Sequence, residues 1–147
     1  MTDEEKKQVL RRQIEGFNAH DENLFSDPVS DSGTGVDVPT GEIFNGKQGS
    51  RQQFARWHQA FPDGRVTIKK ELVSGDTVIL QFTGEGTQTG SLGPFPGSNK
   101  RAKTEFVSIN KLDSQGKIVE TALYYDQLSM LMQLGHVPIP AGAGARQ

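Results

Sequence analysis

Hydrophobic positions change period along this chain, from helical to strand-like. Leu10, Ile14 and Phe17 recur at i, i+4 and i+7 behind Thr2 and Glu5, which have the spacing of a capping box. They predict a helix from about Asp3 to Ala19, and Asp21 is placed to cap a further short turn, "ENLF". The next stretch, "SDPVSDSGTGVDVPTGEIFNGKQG", reads as a long loop with a short strand near Glu42 to Phe44. Ser50 and Gln53 repeat the capping-box spacing. Phe54, Trp57, His58 and Phe61 then share one face of a second helix, stopped by Pro62. Beyond it the period becomes two. Val66, Ile68 and Leu72 alternate in "RVTIKKELV", Val78, Leu80 and Phe82 alternate in "TVILQFT", and "SGD" makes the hairpin turn. "GEGTQTGSLGPFPGSNK" reads as a second, flexible loop. Two more strands follow, about Arg101 to Leu112 and Lys117 to Tyr125, joined by "DSQG". A last helix spans about Gln127 to Leu134, with Gly135 in the C′ position.

Helices first, then a meander of four antiparallel strands, then a short helix make an α+β layout, with helices on one side of a curved sheet. No repeat or internal boundary is visible, so residues 1–135 read as one domain and 136–147 as a tail with little to pack against. The 147 residues are 33% hydrophobic with 17 glycines, an ordinary globular balance. A net charge of −2 with scattered Lys and Arg leaves no basic stripe, which argues against nucleic acid. The chain has no cysteine, which removes disulfides, thiolate nucleophiles and cysteine-bound zinc. The charged start "MTDEEKKQVLRRQ" lacks the apolar core of a signal peptide. No apolar run approaches the ~20 residues that span a bilayer. The expectation is a soluble cytoplasmic protein with no membrane partner.

Candidate chemistry gathers on the last strand. Ile118, Glu120, Ala122, Tyr124 and Asp126 share one parity, and Val119, Thr121, Leu123 and Tyr125 the other. The first face carries two carboxylates and a phenol. It lies either in bulk water or over a pocket, and alternation does not choose between them. Asp126 likewise has two readings. Before an apolar helix it is a favoured N-cap, whose amide bonds lower a carboxylate pKa; a general base near neutral pH needs that value raised by burial. His58, on a face with Phe54, Trp57 and Phe61, reads as a packing histidine. Phe54 and Trp57 are core residues or a pocket wall. His20 and His136 have no second ligand at metal spacing, so no metal site is expected, and "GEGTQTG" lacks the lysine and helix of a phosphate loop.

"FPDGRVTIKKELVSGDTVILQFTGEGTQTG", "LDSQGKIVE" and "YYDQLSMLMQLG" together resemble the SnoaL-like polyketide cyclases, also called ester cyclases, from about Phe54 to Gly135 and more faintly through the first helix. The resemblance implies a cone-shaped α+β barrel of the nuclear transport factor 2-like, cystatin-like kind, usually a homodimer. It also implies a pocket between helices and sheet that closes a ring by aldol chemistry with no metal or cofactor. The acid of the strand-end motif is the general acid/base of that chemistry, and its position here is Asp126. Two positions depart from the family pattern. Gln88 stands where the family reads histidine in Gly-Thr-His-Thr-Gly, and "VSDSG" lacks an early loop histidine. Glutamine can hydrogen-bond a carbonyl but cannot relay a proton.

The expected protein is therefore a cofactor-independent enzyme of the cyclase or isomerase type, with Asp126 as base, Tyr124 and Gln88 holding an enolate oxygen, and Trp57, Phe54, Phe82 and Glu120 around a small apolar oxygenated ligand. A non-catalytic binding module and a dimeric scaffold with a vestigial pocket are the alternatives. A homodimer is expected through an apolar outer face of Val107, Ile109, Val119, Leu123 and Tyr125.

Overall fold

Thr2 opens the chain as expected. Its hydroxyl accepts from the Glu5 amide at 3.1 Å while its own amide donates to Glu5 Oε1 at 2.8 Å, and this capping box starts α1 (Asp3–Asn18). The computed structural model describes residues 1–140. Asp21 caps the short α2 (Glu22–Ser26) through the Leu24 amide. Gly16 lets α1 and α2 meet, because a Cβ there would lie 2.5 Å from the Phe25 nitrogen.

The expected long loop instead holds a full strand, β1 (Val29–Asp37), and the short strand expected near Glu42 to Phe44 is β2 (Glu42–Asn45). Their Gly, Ser and Asp content gives weak intrinsic strand preference, and pairing overrides it. β1 lies between β2, antiparallel, and the last strand, parallel. Gly33 permits that approach: a Cβ would stand 2.9 Å from the Ile118 carbonyl oxygen. The second helix, α3 (Gly46–Ala60), also starts earlier than the Ser50–Gln53 spacing predicts. Ser50 sits inside it with an unpartnered hydroxyl, and Asn45 takes the cap position without a side-chain bond.

The remaining strands are β3 (Arg65–Ser74), β4 (Thr77–Thr87), β5 (Arg101–Leu112) and β6 (Ile118–Tyr125), before α4 (Gln127–Gln133). The sheet is curved and unclosed. Among the described residues it has six strands in the order β2-β1-β6-β5-β4-β3, where the four of the meander and the short strand near Glu42 had been expected. A bulge at Lys69 flips the parity of β3. Ile68 faces in, but beyond the bulge Glu71 and Val73 take the inner positions and Leu72 turns to solvent.

The expected flexible segment after β4 is pinned. The Gln88 amide donates to the Lys100 carbonyl and the Asn99 amide to the Gln88 carbonyl, Leu92 bridges Phe95, and the Gly90 amide reaches the Ala60 carbonyl. α4 closes in a Schellman motif, with Gly135 at φ +81° and the His136 amide bonded to the Leu131 carbonyl. Of the expected tail, His136 is thus tied down, and residues 141–147 lie outside the described residues.

Candidate functional site

The cross-strand register decides which side chains can form a pocket. On β5 and β6, Phe106 faces Tyr125, Ser108 faces Leu123 and Asn110 faces Thr121, and all of these turn toward the helices. The intervening pairs, Val107–Tyr124, Ile109–Ala122 and Lys111–Glu120, turn away. The parity expected to line the cavity is therefore the outer one, and of the expected outer residues Leu123 belongs to the core and Tyr125 packs against it.

A cavity of about 120 Å³ lies between α1, α2 and α3 and the concave face of β3 to β6. Phe17, Phe25, Trp57, Phe61, Phe82 and Phe106 supply its aromatic walls. Phe82 and Phe106 stack at 5.2 Å with planes 4° apart, and Trp57 stands edge-on to Phe106. Gly84 makes room for this stack, since a Cβ there would come 2.8 Å from the Phe106 ring. Arg65 and Glu85, paired across β3 and β4, stand at the solvent-facing edge. At the β5–β6 side the wall turns polar. Asn110 Nδ2 donates to the Val78 carbonyl at 3.2 Å and to Ser108 Oγ at 3.0 Å, and Thr121 Oγ1 donates to Asn110 Oδ1 at 3.0 Å. None of these three side chains titrates near neutral pH.

Of the predicted set, only Trp57 and Phe82 line this cavity. Phe54 lies one layer back, packed on Phe17, Phe25 and His58. His58 itself sits with Nδ1 2.9 Å from the Phe54 carbonyl and Nε2 3.0 Å from the Phe17 carbonyl, holding α3 to α1. Gln88 is 0% exposed but serves the pinned loop: its amide nitrogen donates to the Phe95 carbonyl, and Oε1 lies 2.7 Å from His136 Nε2. Glu120 and Tyr124 stand on the outer face, Tyr124 45% exposed. Asp126 is exposed and caps α4, accepting from the Ser129 amide at 2.9 Å. With Tyr124 and Val107 it edges a shallow outer groove, not the enclosed cavity expected for it.

Sequence reasoning missed Asp37, which is 1% exposed at the end of β1. The Tyr125 hydroxyl donates to both of its carboxylate oxygens, at 3.0 and 2.9 Å. Burial first, and the Asp37 charge second, push the Tyr125 phenol well above its ordinary pKa. Nothing in "GVDVPTG" signals this, because a loop assignment hides parity. Ser108 and Asn110 were legible: they share parity with Phe106 and Leu112, an inward face by composition. Among the described residues no three His, Asp or Glu side chains converge as metal ligands, and no helix is long and apolar enough to cross a membrane.

Solved structures share this architecture. AclR from Streptomyces galilaeus superposes with a TM-score of 0.80 at 19% identity, covering 93% of this chain and 100% of its own. A protein with a ketosteroid isomerase-like fold from Catenulispora acidiphila, solved with trimethylamine, gives 0.75 at 20% identity, covering 86% and 92%. A polyketide cyclase candidate of the SnoaL type from Jannaschia sp. CCS1 gives 0.80 at 17%, covering 90% and 93%. At such identities the likeness establishes the fold. No curated protein matches significantly. The family model for SnoaL-like polyketide cyclases matches residues 7–134, nearly the whole chain with both helical and strand regions, and the chain belongs to that family.

Proposed function

We propose that this protein binds a compact, neutral, apolar molecule carrying oxygen, and holds it without acid–base chemistry of its own. One observation carries the proposal: the polar groups on the β5–β6 wall of the cavity are the non-titrating Thr104, Ser108, Asn110 and Thr121, set among aromatic walls. The nearby strand-end acid, Asp126, is engaged with a helix terminus. In a family named for cyclases, such a cavity retains shape and orientation, while its one lining carboxylate, Glu85, stands at the solvent-facing edge paired with Arg101 and no imidazole lines it. We further propose that the chain forms a homodimer through the outer sheet face around Val107, Ile109 and Tyr124.

Trp57 is the chain's only tryptophan and lines the cavity, so its fluorescence reports occupancy. Titration with small aryl ketones should change the emission saturably. The same ketones in deuterated buffer should exchange their α-protons no faster with protein than without it. Protein-dependent exchange abolished by Asp126→Asn would instead support the cyclase or isomerase reading.

A further inference from the structure

We propose that Ser108 sets ligand specificity, its hydroxyl donating a hydrogen bond to a neutral acceptor oxygen such as that of a ketone, ester or ether. This rests on the ligand-binding reading above and adds which ligand group is recognised, and by what. The direction of the polar relay follows from one fixed point. The Val78 carbonyl can only accept, so the Asn110 atom 3.2 Å away is the amide nitrogen. Its second proton goes to Ser108 Oγ. Asn110 Oδ1 is then an acceptor, and Thr121 must be its donor. Ser108 has accepted, and its own proton has no protein acceptor among the described residues.

Ser108 is 6% exposed, lines the cavity, and is paired with Leu80 on one side and Leu123 on the other. Neither neighbour's side chain offers an acceptor. A buried hydroxyl proton with nowhere to go is unfavourable, and a ligand oxygen in the cavity relieves this. A carboxylate would meet one neutral donor and no cation within this relay, too little to offset its desolvation. The relay therefore favours an uncharged acceptor. A cavity of about 120 Å³ is near the size that accepts a single aromatic ring.

The test compares acetophenone with α-methylstyrene, which has nearly the same shape but lacks the oxygen. Calorimetry should show Ser108→Ala weakening acetophenone about three- to tenfold, the range of one net hydrogen bond, with the hydrocarbon unchanged or tighter. The carbonyl stretch of bound acetophenone should fall to lower frequency in the wild type, return in Ser108→Ala and fall again in Ser108→Thr, which keeps the donor. Equal losses for both probes, or an unshifted carbonyl in the wild type, would overturn the inference while leaving the binding reading intact. Failure of acetophenone to bind the wild-type protein would overturn both. Should the variants not fold, the wild-type carbonyl frequency decides alone.

Discussion

A seven-residue helix has little hydrogen bonding of its own, and Asp126 supplies what α4 lacks at its start, an acceptor for the Ser129 amide. Asn caps about as well as Asp, whereas Ala cannot accept. Asp126→Ala should therefore cost ~1 kcal/mol in denaturant titrations and Asp126→Asn a few tenths at most, with ketone affinity unchanged in both. A loss of binding in Asp126→Asn at full stability would return this residue to the pocket's chemistry. Tyr125 has a different dependence, on alkali. Its phenol is held above its ordinary value by burial and by Asp37, so the folded chain keeps a proton that an unfolded tyrosine gives up near pH 10. Above that pH the unfolded state binds fewer protons. Stability is thus intact below about pH 10 and falls above it, by ~1.4 kcal/mol per pH unit from this group. In Tyr124→Phe, where Tyr125 is the sole phenol, tyrosinate absorbance should rise only as the protein unfolds. A reversible rise in the folded state would show that the hydroxyl is not held as described.

Between elements, the bulge at Lys69 explains a contact that strict alternation would forbid. By turning Glu71 inward it brings the carboxylate to Arg11 of α1, with Nε to Oε2 at 2.7 Å and Nη2 to Oε1 at 2.8 Å. That two-pronged hydrogen bond, ahead of any longer-range charge, holds Glu71 below the usual carboxylate range. Its stabilisation is complete above the unfolded value near pH 4.3 and is lost as pH falls through the folded one. Glu71→Gln should be less stable than wild type at pH 7, with the gap closing below about pH 4. A constant gap would mean the pair contributes through packing alone. The bulge also marks where the sequence stops being readable. Thr2, Asp21, Gly135 and the β3–β4 hairpin act locally, and spacing reveals each of them. β1 exists because two neighbours pair with it, which no window along "VSDSGTGVD" contains. The candidate site divides the same way. Trp57 and Phe82 were legible from periodicity, but a one-residue choice of parity on β6 decides whether Leu123 or Tyr124 faces the cavity, and only the register with β5 fixes it.

For the whole molecule, that same parity leaves one face of the sheet uncovered among the described residues. Across the central strands, Ile79, Ile109 and Ala122 form one row, and Gln81, Val107 and Tyr124 the next. Ile109 and Tyr124 are exposed, while on the opposite face the helices cover the cavity. A patch of apolar residues flanked by charged Lys111, Glu120 and Glu105 suits a second copy of itself, since a two-fold axis sets each row against its own counterpart. Sedimentation at micromolar concentration should therefore give twice the 16.1 kDa chain mass. Ile109→Lys should give the single-chain mass, because two lysines would then be buried close together at the axis without counter-charges. As Ile109 points away from the cavity, the monomeric variant should keep the wild-type affinity for acetophenone. A wild-type monomer would remove the dimer. A monomeric Ile109→Lys that also lost the ligand would mean that pairing shapes the cavity, so that the two faces of the sheet do not act independently.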